Sequence, residues 1–412
     1  MSSLRENVRN HRRRLGLSQE GLAEAAGLSV GVVRKIEQGG SAQVETIHML
    51  ARALGTTTSS LFATEAPDPL HHREGDGPKL SELRQALMPP IGLTSVVAQP
   101  TQAPPLSSIG RAIEDAHTFY HADRYDSVAK ALPGILRNTE AAVALSEGEG
   151  ERRQAVAVRA RALLLTGKYL TQTRRYDMAY HALSRGIQDA RDAGCQQIAA
   201  TGVVGLSWLL LRQDRFDEVE HLATATADET EPQRLSKAKP AELALWGELL
   251  QRAASAAMRN NRPDVARDVR RMTATVASAL SVEHTDFGSH WATFGPVTAE
   301  MKAIEDLSLI GDARGVLRRA DDGFVGKAAM KRFGHPTSNN WDRHRLDVAR
   351  AHVLLGSHQD AMEELSAIRR TSPEWLKHQT MARYIMRDIL ARRKRTLTRD
   401  MREMASHLEV SG

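Results

Sequence analysis

The stretch Ser18–Gly39, SQEGLAEAAGLSVGVVRKIEQG, leaves its chain little freedom in how to fold. It reads as two short helices joined by a tight turn. Ser18 can cap the first helix by bonding an orphan N–H, and Gly27 sits where that helix must stop. Leu28 and Ser29 complete the turn, and Ser29 can cap the second helix. Leu22, Ala23 and Ala26 make an apolar stripe on the first helix; Val33 and Ile36 make one on the second. Small residues at Ala23, Ala25 and Ala26 let the two helices cross closely at a steep angle.

The flanking residues extend this unit. A preceding helix carries Leu4, Val8 and Leu15 on one face and Arg5, Arg9, Arg12, Arg13 and Arg14 around the rest. Residues 1–64 hold eight Lys/Arg against five acids, a net charge of +3 that suits a polyanionic partner. Charge alone describes many solvated helix faces; here it counts because it coincides with the two-helix motif.

Residues 4–62 resemble the helix-turn-helix domain of the XRE family, relatives of the lambdoid phage repressors. The matching positions are Arg12, Gly16, Ser18-Gln19, Leu22-Ala23, Gly27, Ile36, Glu37, Gly39 and the closing ARALG at 51–55. The resemblance implies a five-helix domain that binds double-stranded DNA as a homodimer. It places Gln19 against a phosphate at a helix N-terminus. It places Val30, Gly31 and Lys35 at base edges, and Ser29 and Arg34 at backbone or bases. The chain departs from many relatives at Val30 and Gly31, which offer no hydrogen-bond donor. Val30 can pack on a thymine methyl and Lys35 or Arg34 can reach guanine, so readout should lean on phosphates and DNA shape. Arg12 and Glu37 match a buried ion pair. Thr46, Ile47, Leu50, Ala51 and Leu54 form a fourth helix, with Ile47, Leu50 and Leu54 in the core; Ser59, Ser60, Leu61 and Phe62 begin a short fifth.

At 412 residues the chain needs at least one further domain. Eight of its fifteen prolines fall between Glu65 and Ile109, so residues 65–108 read as a linker, with one short helix at Lys79–Met88. The adjacent His71 and His72 belong to that linker. Residues 109–412 read as helix after helix, and an all-α fold follows. A loose repeat runs through them: RYDSV at 124–128, RYDMA at 175–179, RFDEV at 215–219, RPDVA at 262–266, with weaker copies GDARGVL at 311–317 and HQDAMEEL at 358–365. Each would turn one amphipathic helix into its antiparallel partner. Residues 155–193 resemble a tetratricopeptide repeat, with Leu163, Gly167, Leu170, Ala179 and Leu183 at its packing positions. Gly167 and Ala179 are small because two helices cross there. The expectation is an α-solenoid of about six such hairpins in a right-handed superhelix, capped by helices at Ala382–Arg393 and Thr398–Leu408, with ARRKR at 391–395 as a solvated cap. The layout resembles actinobacterial regulators of this architecture and, in domain order only, peptide-sensing regulators of quorum sensing.

Other functions find little purchase. The longest uncharged apolar run, Val203–Leu211, is nine residues and is broken by Gly205 and Ser207, so no membrane span is expected. With no signal peptide ahead of Leu4, a cytoplasmic, nucleoid-associated protein is expected. The single Cys195 reads as a packed residue. His117 and His121 stand one helical turn apart, but Thr118 occupies the place of the glutamate a zinc-protease motif needs. Neither an enzyme, a cofactor nor a metal site is expected. A peptide or small-molecule effector has candidates in Trp291, Phe294, Asn339, Asn340, Trp341 and Arg343, where aromatics stand beside amides and a guanidinium. The same residues also suit interhelical loops anchored by a buried Trp; Trp208 and Trp246 read as core. A scaffold that recruits a protein partner to DNA is the alternative to a ligand-controlled regulator.

Overall fold

The computed structural model describes residues 4–40, 42–56, 58–62, 78–90, 100–285, 293–321, 323, 325–392 and 397–410. Among them the regular structure is helical; the one β-type pairing is an isolated bridge between His284 and Phe294. None of these helices is long and apolar enough to cross a membrane.

Five helices build an N-terminal head: α1 (Leu4–Arg14), α2 (Gln19–Ala26), α3 (Val30–Glu37), α4 (Val44–Ala53) and α5 (Thr58–Phe62). The Ser18 hydroxyl accepts from Gly21 N–H, and Gly27 ends α2 at φ +64° in the left-handed region. There Leu28 N–H reaches back to the Ala23 carbonyl at 2.8 Å, the bond that closes a Schellman-type helix end. Ser29 holds the N-cap position of α3 in extended backbone, but its hydroxyl makes no capping bond. Val8, Leu22, Val33, Ile36, Ile47, Leu50, Leu54 and Leu61 form one buried core. Each large side chain fully buried here contributes about 1.5–3 kcal/mol.

The Pro-rich span contains α6 (Pro78–Leu87), whose Leu83 and Leu87 are buried in the core of the large C-terminal body, against α8 (Tyr125–Ala144). His71 and His72 lie outside the described residues. The body itself starts at α7 (Leu106–His121) and runs as helix pairs. They are α7 with α8, α9 (Glu149–Gln172) with α10 (Tyr176–Asp192), α11 (Gln196–Leu211) with α12 (Phe216–Thr230), and α13 (Pro240–Arg259) with α14 (Pro263–Leu280). Then come α15 (Pro296–Leu309) with α16 (Ala313–Asp321), the short α17 (Lys327–Phe333), and α18 (Ser338–Leu354) with α19 (His358–Thr371). The short α20 (Pro373–Lys377), α21 (Thr380–Arg392) and α22 (Arg399–His407) close the chain, one residue or two from the expected cap boundaries.

One turn recurs through the body, and the repeated motif encodes it. Asp123, Arg174, Asp214 and Asn261 adopt φ between 58° and 65°, and Gly194, Gly311 and Gly356 take the same left-handed region. In each case the following N–H bonds the carbonyl five residues back: Arg124 to Phe119 at 2.9 Å, Arg175 to Leu170 at 2.8 Å, Arg215 to Leu210 at 3.1 Å, Arg262 to Ala257 at 2.9 Å. The next residue anchors the turn. Tyr125 and Phe216 are buried, and Pro263 fits the first position of a helix, where no N–H is needed. The aspartate after it, Asp126, Asp177, Asp217 or Asp264, lies in the first turn of the new helix, where the dipole favours an acid.

Within the second pair, α9 and α10 cross closely at Gly167. A Cβ there would lie 2.5 Å from Leu183 Cγ and 3.4 Å from the Ala179 carbonyl, so a larger residue forces Leu183 to shift. The body also closes on itself. Both oxygens of Asp123, in the α7–α8 turn, accept from the N–H groups of Glu374 and Trp375 at 2.7 Å, at the start of α20. Ser338 Oγ donates to the His121 carbonyl at 3.1 Å beside this contact.

Head and body meet through α5. Asn261 Oδ1 accepts from Thr58 N–H and Thr58 Oγ1, both at 2.5 Å, while Asn261 Nδ2 donates to the Thr56 carbonyl at 2.6 Å. Thr58 Oγ1 also lies 2.7 Å from His48 Nδ1; with its own proton spent on Asn261 it must accept from the imidazole. The Phe62 ring packs over Gly311 at the end of α15.

Candidate nucleic-acid interface and interior cavity

Helix α3 presents its outer face to solvent. Val33, Ile36 and Glu37 point inward and are buried, leaving Gly31, Arg34 and Lys35 exposed, with exposed Ser29 just ahead of the helix and Val30 half-buried. This follows from the spacing: Val33 and Ile36 are one turn apart on one side, and Gly31, Arg34 and Lys35 fall on the other. The docked body contacts α5 and leaves this face open.

An inner polar cluster fixes the pose of α3. Arg12 makes a two-pronged bond to Glu37, Nε to Oε1 at 2.7 Å and Nη2 to Oε2 at 3.1 Å, and its Nη1 donates to the Leu17 carbonyl at 2.7 Å. Gln19 Nε2 donates to Glu37 Oε2 at 2.8 Å, and Arg9 stands 3.6 Å away. Burial opposes ionisation of Glu37, but the bonds from Arg12 and Gln19 and the charges of Arg12 and Arg9 hold its carboxyl below the usual range. Glu37 thus ties α1, α2 and α3 together, the pairing that the XRE resemblance implied.

The remaining interface residues are less free than their sequence positions suggest. The Gln19 amide nitrogen, expected against a phosphate, is engaged by Glu37, while its oxygen accepts from Arg34 Nε at 3.4 Å. Arg34 also pairs with Glu20 at 3.0 Å, an exposed bridge of little strength that a phosphate or a guanine edge can displace. The stem of Lys35 lies along Gly40, where a Cβ would stand 2.6 Å from Lys35 Cγ. Arg5, Arg9 and Arg13 are exposed on α1 beside this face and extend its positive surface.

A second feature lies inside the body. A cavity of about 260 Å³ is lined by the first helices of successive pairs. Lys168 and Gln172 come from α9, Trp208 and Arg212 from α11, Arg252, Ser255 and Arg259 from α13, Lys302 and Glu305 from α15, and Asn339, Asn340 and Arg343 from α18. Spacings of three or four residues place each set on one helix face. Glu305 bonds Arg259 and Lys302, both at 2.6 Å, with Arg343 at 4.0 Å. Burial resists its charge, yet Lys302, Arg259 and Arg343 hold its carboxyl well below the usual range. Burial pushes the Lys168 ammonium down to about 7, with Glu248 opposing and Arg252 assisting.

Of the effector candidates, Asn339, Asn340 and Arg343 line this cavity. Trp341 turns the other way, packing with Val297, Met301 and Val316. Phe294 is fully buried under Gly247, where a Cβ would meet its ring at 2.2 Å. Trp291 lies outside the described residues. Trp246 is buried in the core, whereas Trp208 is a cavity wall, with the Arg212 guanidinium 4.8 Å over its ring. His121 also lines the cavity, its Nε2 3.1 Å from Lys168 Nζ, and burial depresses His117 to about 3.

Sequence reading passed over Lys168, Gln172, Arg212, Arg252, Arg259, Lys302 and Glu305. The signal is there: charged and amide residues one or two turns apart inside locally apolar stretches, as in LLLTGKYLTQ and ELLQRAASAAMR. Such residues need either partners or a cavity.

Residues 8–61 match the model of a helix-turn-helix family of the XRE type, from within α1 to α5. No curated protein matches the chain.

Proposed function

We propose that the chain is a transcriptional regulator that binds a palindromic operator as a homodimer and is controlled by an effector in its helical body. The observation that carries this is the exposed outer face of α3, braced from behind by the Arg12–Glu37 pair and open to solvent while the head is docked. Two copies of α3 would enter successive major grooves about 34 Å apart. Lys35 and Arg34 supply donors for guanine or phosphate, Ser29 and Gln19 backbone contacts, and Val30 and Gly31 a close apolar approach.

The body is read as a tetratricopeptide-like array that dimerises the protein and senses its ligand. The recurring turn, the Gly167 crossing and the cavity along the first helices of the pairs support this reading. A physical route joins cavity to head. Arg259 lies near the end of α13 and Asn261 follows it; Glu305 lies on α15 and Gly311 follows that helix. A ligand that shifts either helix therefore moves the bonds to Thr56 and Thr58 or the seat of Phe62.

Gel shift with a fragment from upstream of the chain's own gene tests the core of this. Wild type should retard the fragment at low salt. Arg34→Ala with Lys35→Ala should weaken binding at least tenfold, each contact being worth about 1–3 kcal/mol. No retardation at low salt would sink the assignment, and a monomer by light scattering at the working concentration would remove its dimeric part.

A further inference from the structure

We infer that the interior cavity binds a small polyanion, a molecule with two or more phosphate or carboxylate charges. This rests on the regulator reading above and supplies the chemistry of its effector.

Six cations line the cavity: Lys168, Arg212, Arg252, Arg259, Lys302 and Arg343. Glu305 is the one carboxylate among the lining residues, and it is shared between Arg259, Lys302 and Arg343. Even with Glu248, Asp347 and Asp214, whose charges act on Lys168, Arg252, Arg343 and Arg259 from behind the wall, cations outnumber acids by two among the described residues, and by one when Lys168 is neutral. Like charges gathered in a low-dielectric interior repel strongly, so the apo chain carries a cost that an anion would relieve.

The hydrogen-bonding inventory points the same way. Gln172 is 1% exposed and its Nε2 has no partner among the described residues; the Nε atoms of Arg212 and Arg252 are likewise buried and unpartnered. All three belong to side chains that line the cavity. Phosphate and carboxylate oxygens are acceptors only, and guanidinium forks match them in geometry. A cationic ligand would add to the repulsion. A neutral ligand would leave the charge excess in place. Trp208, Tyr120 and Trp375 also line the cavity, with the Arg212 guanidinium over the Trp208 ring and the Lys168 ammonium over that of Tyr120. At about 260 Å³ the space lies below the ~300 Å³ at which drug-sized pockets begin, so it suits a metabolite or the charged end of something longer.

The test uses the full chain without DNA. Titration calorimetry and thermal denaturation are run with sodium pyrophosphate and with citrate, against sodium chloride of matched ionic strength. At least one anion should bind with Kd in the millimolar range or tighter and raise Tm by several degrees. A response to pyrophosphate alone marks a phosphate ligand, to citrate alone a carboxylate one. Arg252→Met should raise the Tm of the unliganded chain, by thinning the like charges of Arg212 and Arg259 that crowd it, and weaken the anion at least tenfold. If that variant does not fold, Arg212→Met carries the same expectation. The proposal is overturned if neither anion exceeds the chloride control, or if the folded variant melts lower and binds unchanged. A chain that retards its DNA but ignores both anions loses only this inference; one that binds an anion but no DNA loses the regulator reading instead.

Discussion

Replacing Asn261 with glycine isolates what holds the head to the body. Glycine takes the native φ of 59° without strain, so the change removes the side chain and little else. Three short bonds vanish: two accepted by Oδ1 from Thr58 N–H and Oγ1, and one donated by Nδ2 to the Thr56 carbonyl. Neutral bonds contribute about 0.5–1.5 kcal/mol each, but Thr58 is only 2% exposed, and its N–H, the first of α5, would be left without an acceptor at about 1–3 kcal/mol. Together the loss is about 3 kcal/mol, a factor of roughly 100 in the docking equilibrium. Amide hydrogen exchange reads it directly: the Thr58 amide should exchange roughly 100-fold faster while amides inside α9 and α13 keep their protection. Asn261→Asp, which keeps the acceptor, should fall between. An unchanged Thr58 exchange rate in the glycine variant would refute the reasoning, because the amide would then owe its protection to something other than this side chain.

Glu37→Ala strands the Arg12 guanidinium inside the head and should destabilise it by about 3–5 kcal/mol, enough to unfold a five-helix domain; a head melting transition that stays at the wild-type temperature would contradict this. Gly167→Ala forces a methyl to within 2.5 Å of Leu183 and should cost about 1–3 kcal/mol, whereas Gly110→Ala, where a Cβ meets nothing within 4 Å, should be neutral or slightly stabilising. Equal denaturation midpoints for the two variants would argue against a tight crossing. Burial depresses His378 to about 4, below its unfolded value near 6.5, so its stabilisation is complete above pH 6.5 and is lost as pH falls toward 4. Asp123, Asp342 and Asp347, which burial raises to about 6, pull the opposite way, so the readout is a difference between variants. His378→Gln should gain on wild type by up to about 1.4 kcal/mol per pH unit across that window, and a pH-independent gap would remove His378 from the account.

Local signals were legible wherever one short stretch carried its own physics. Ser18, Gly27 and the Leu22, Val33 and Ile36 stripe defined the head, because caps and periodicity are properties of neighbours. The RYD motif locates its turns for the same reason, although the left-handed residue just before it, Asp123, Arg174 or Asp214, carries no shared residue type. The Gly167 crossing followed from a small residue at a repeat position. What escaped depends on residues far apart in the chain. Asn261 meets Thr58 across 203 residues, and Asp123 meets Trp375 across 252. The cavity draws its charges from five helices, none of which is unusual alone. Aromatic clustering points to Trp341 and Phe294, of which Phe294 is fully buried and Trp341 packs against Val297 and its neighbours. Rings suit a core and a groove equally, whereas an arginine in an apolar helix has fewer places to go.

The bond from Asp123 to the start of α20 changes how the body can come apart. An array joined only neighbour to neighbour frays from either tip, one unit at a time. Here the opening turn is pinned to a late helix, so the tips hold each other. Cutting the chain before Pro373 would therefore loosen α7 and α8, some 250 residues upstream, and not merely shorten the far end. Unfolding should then proceed as one event, with the ring giving way all at once.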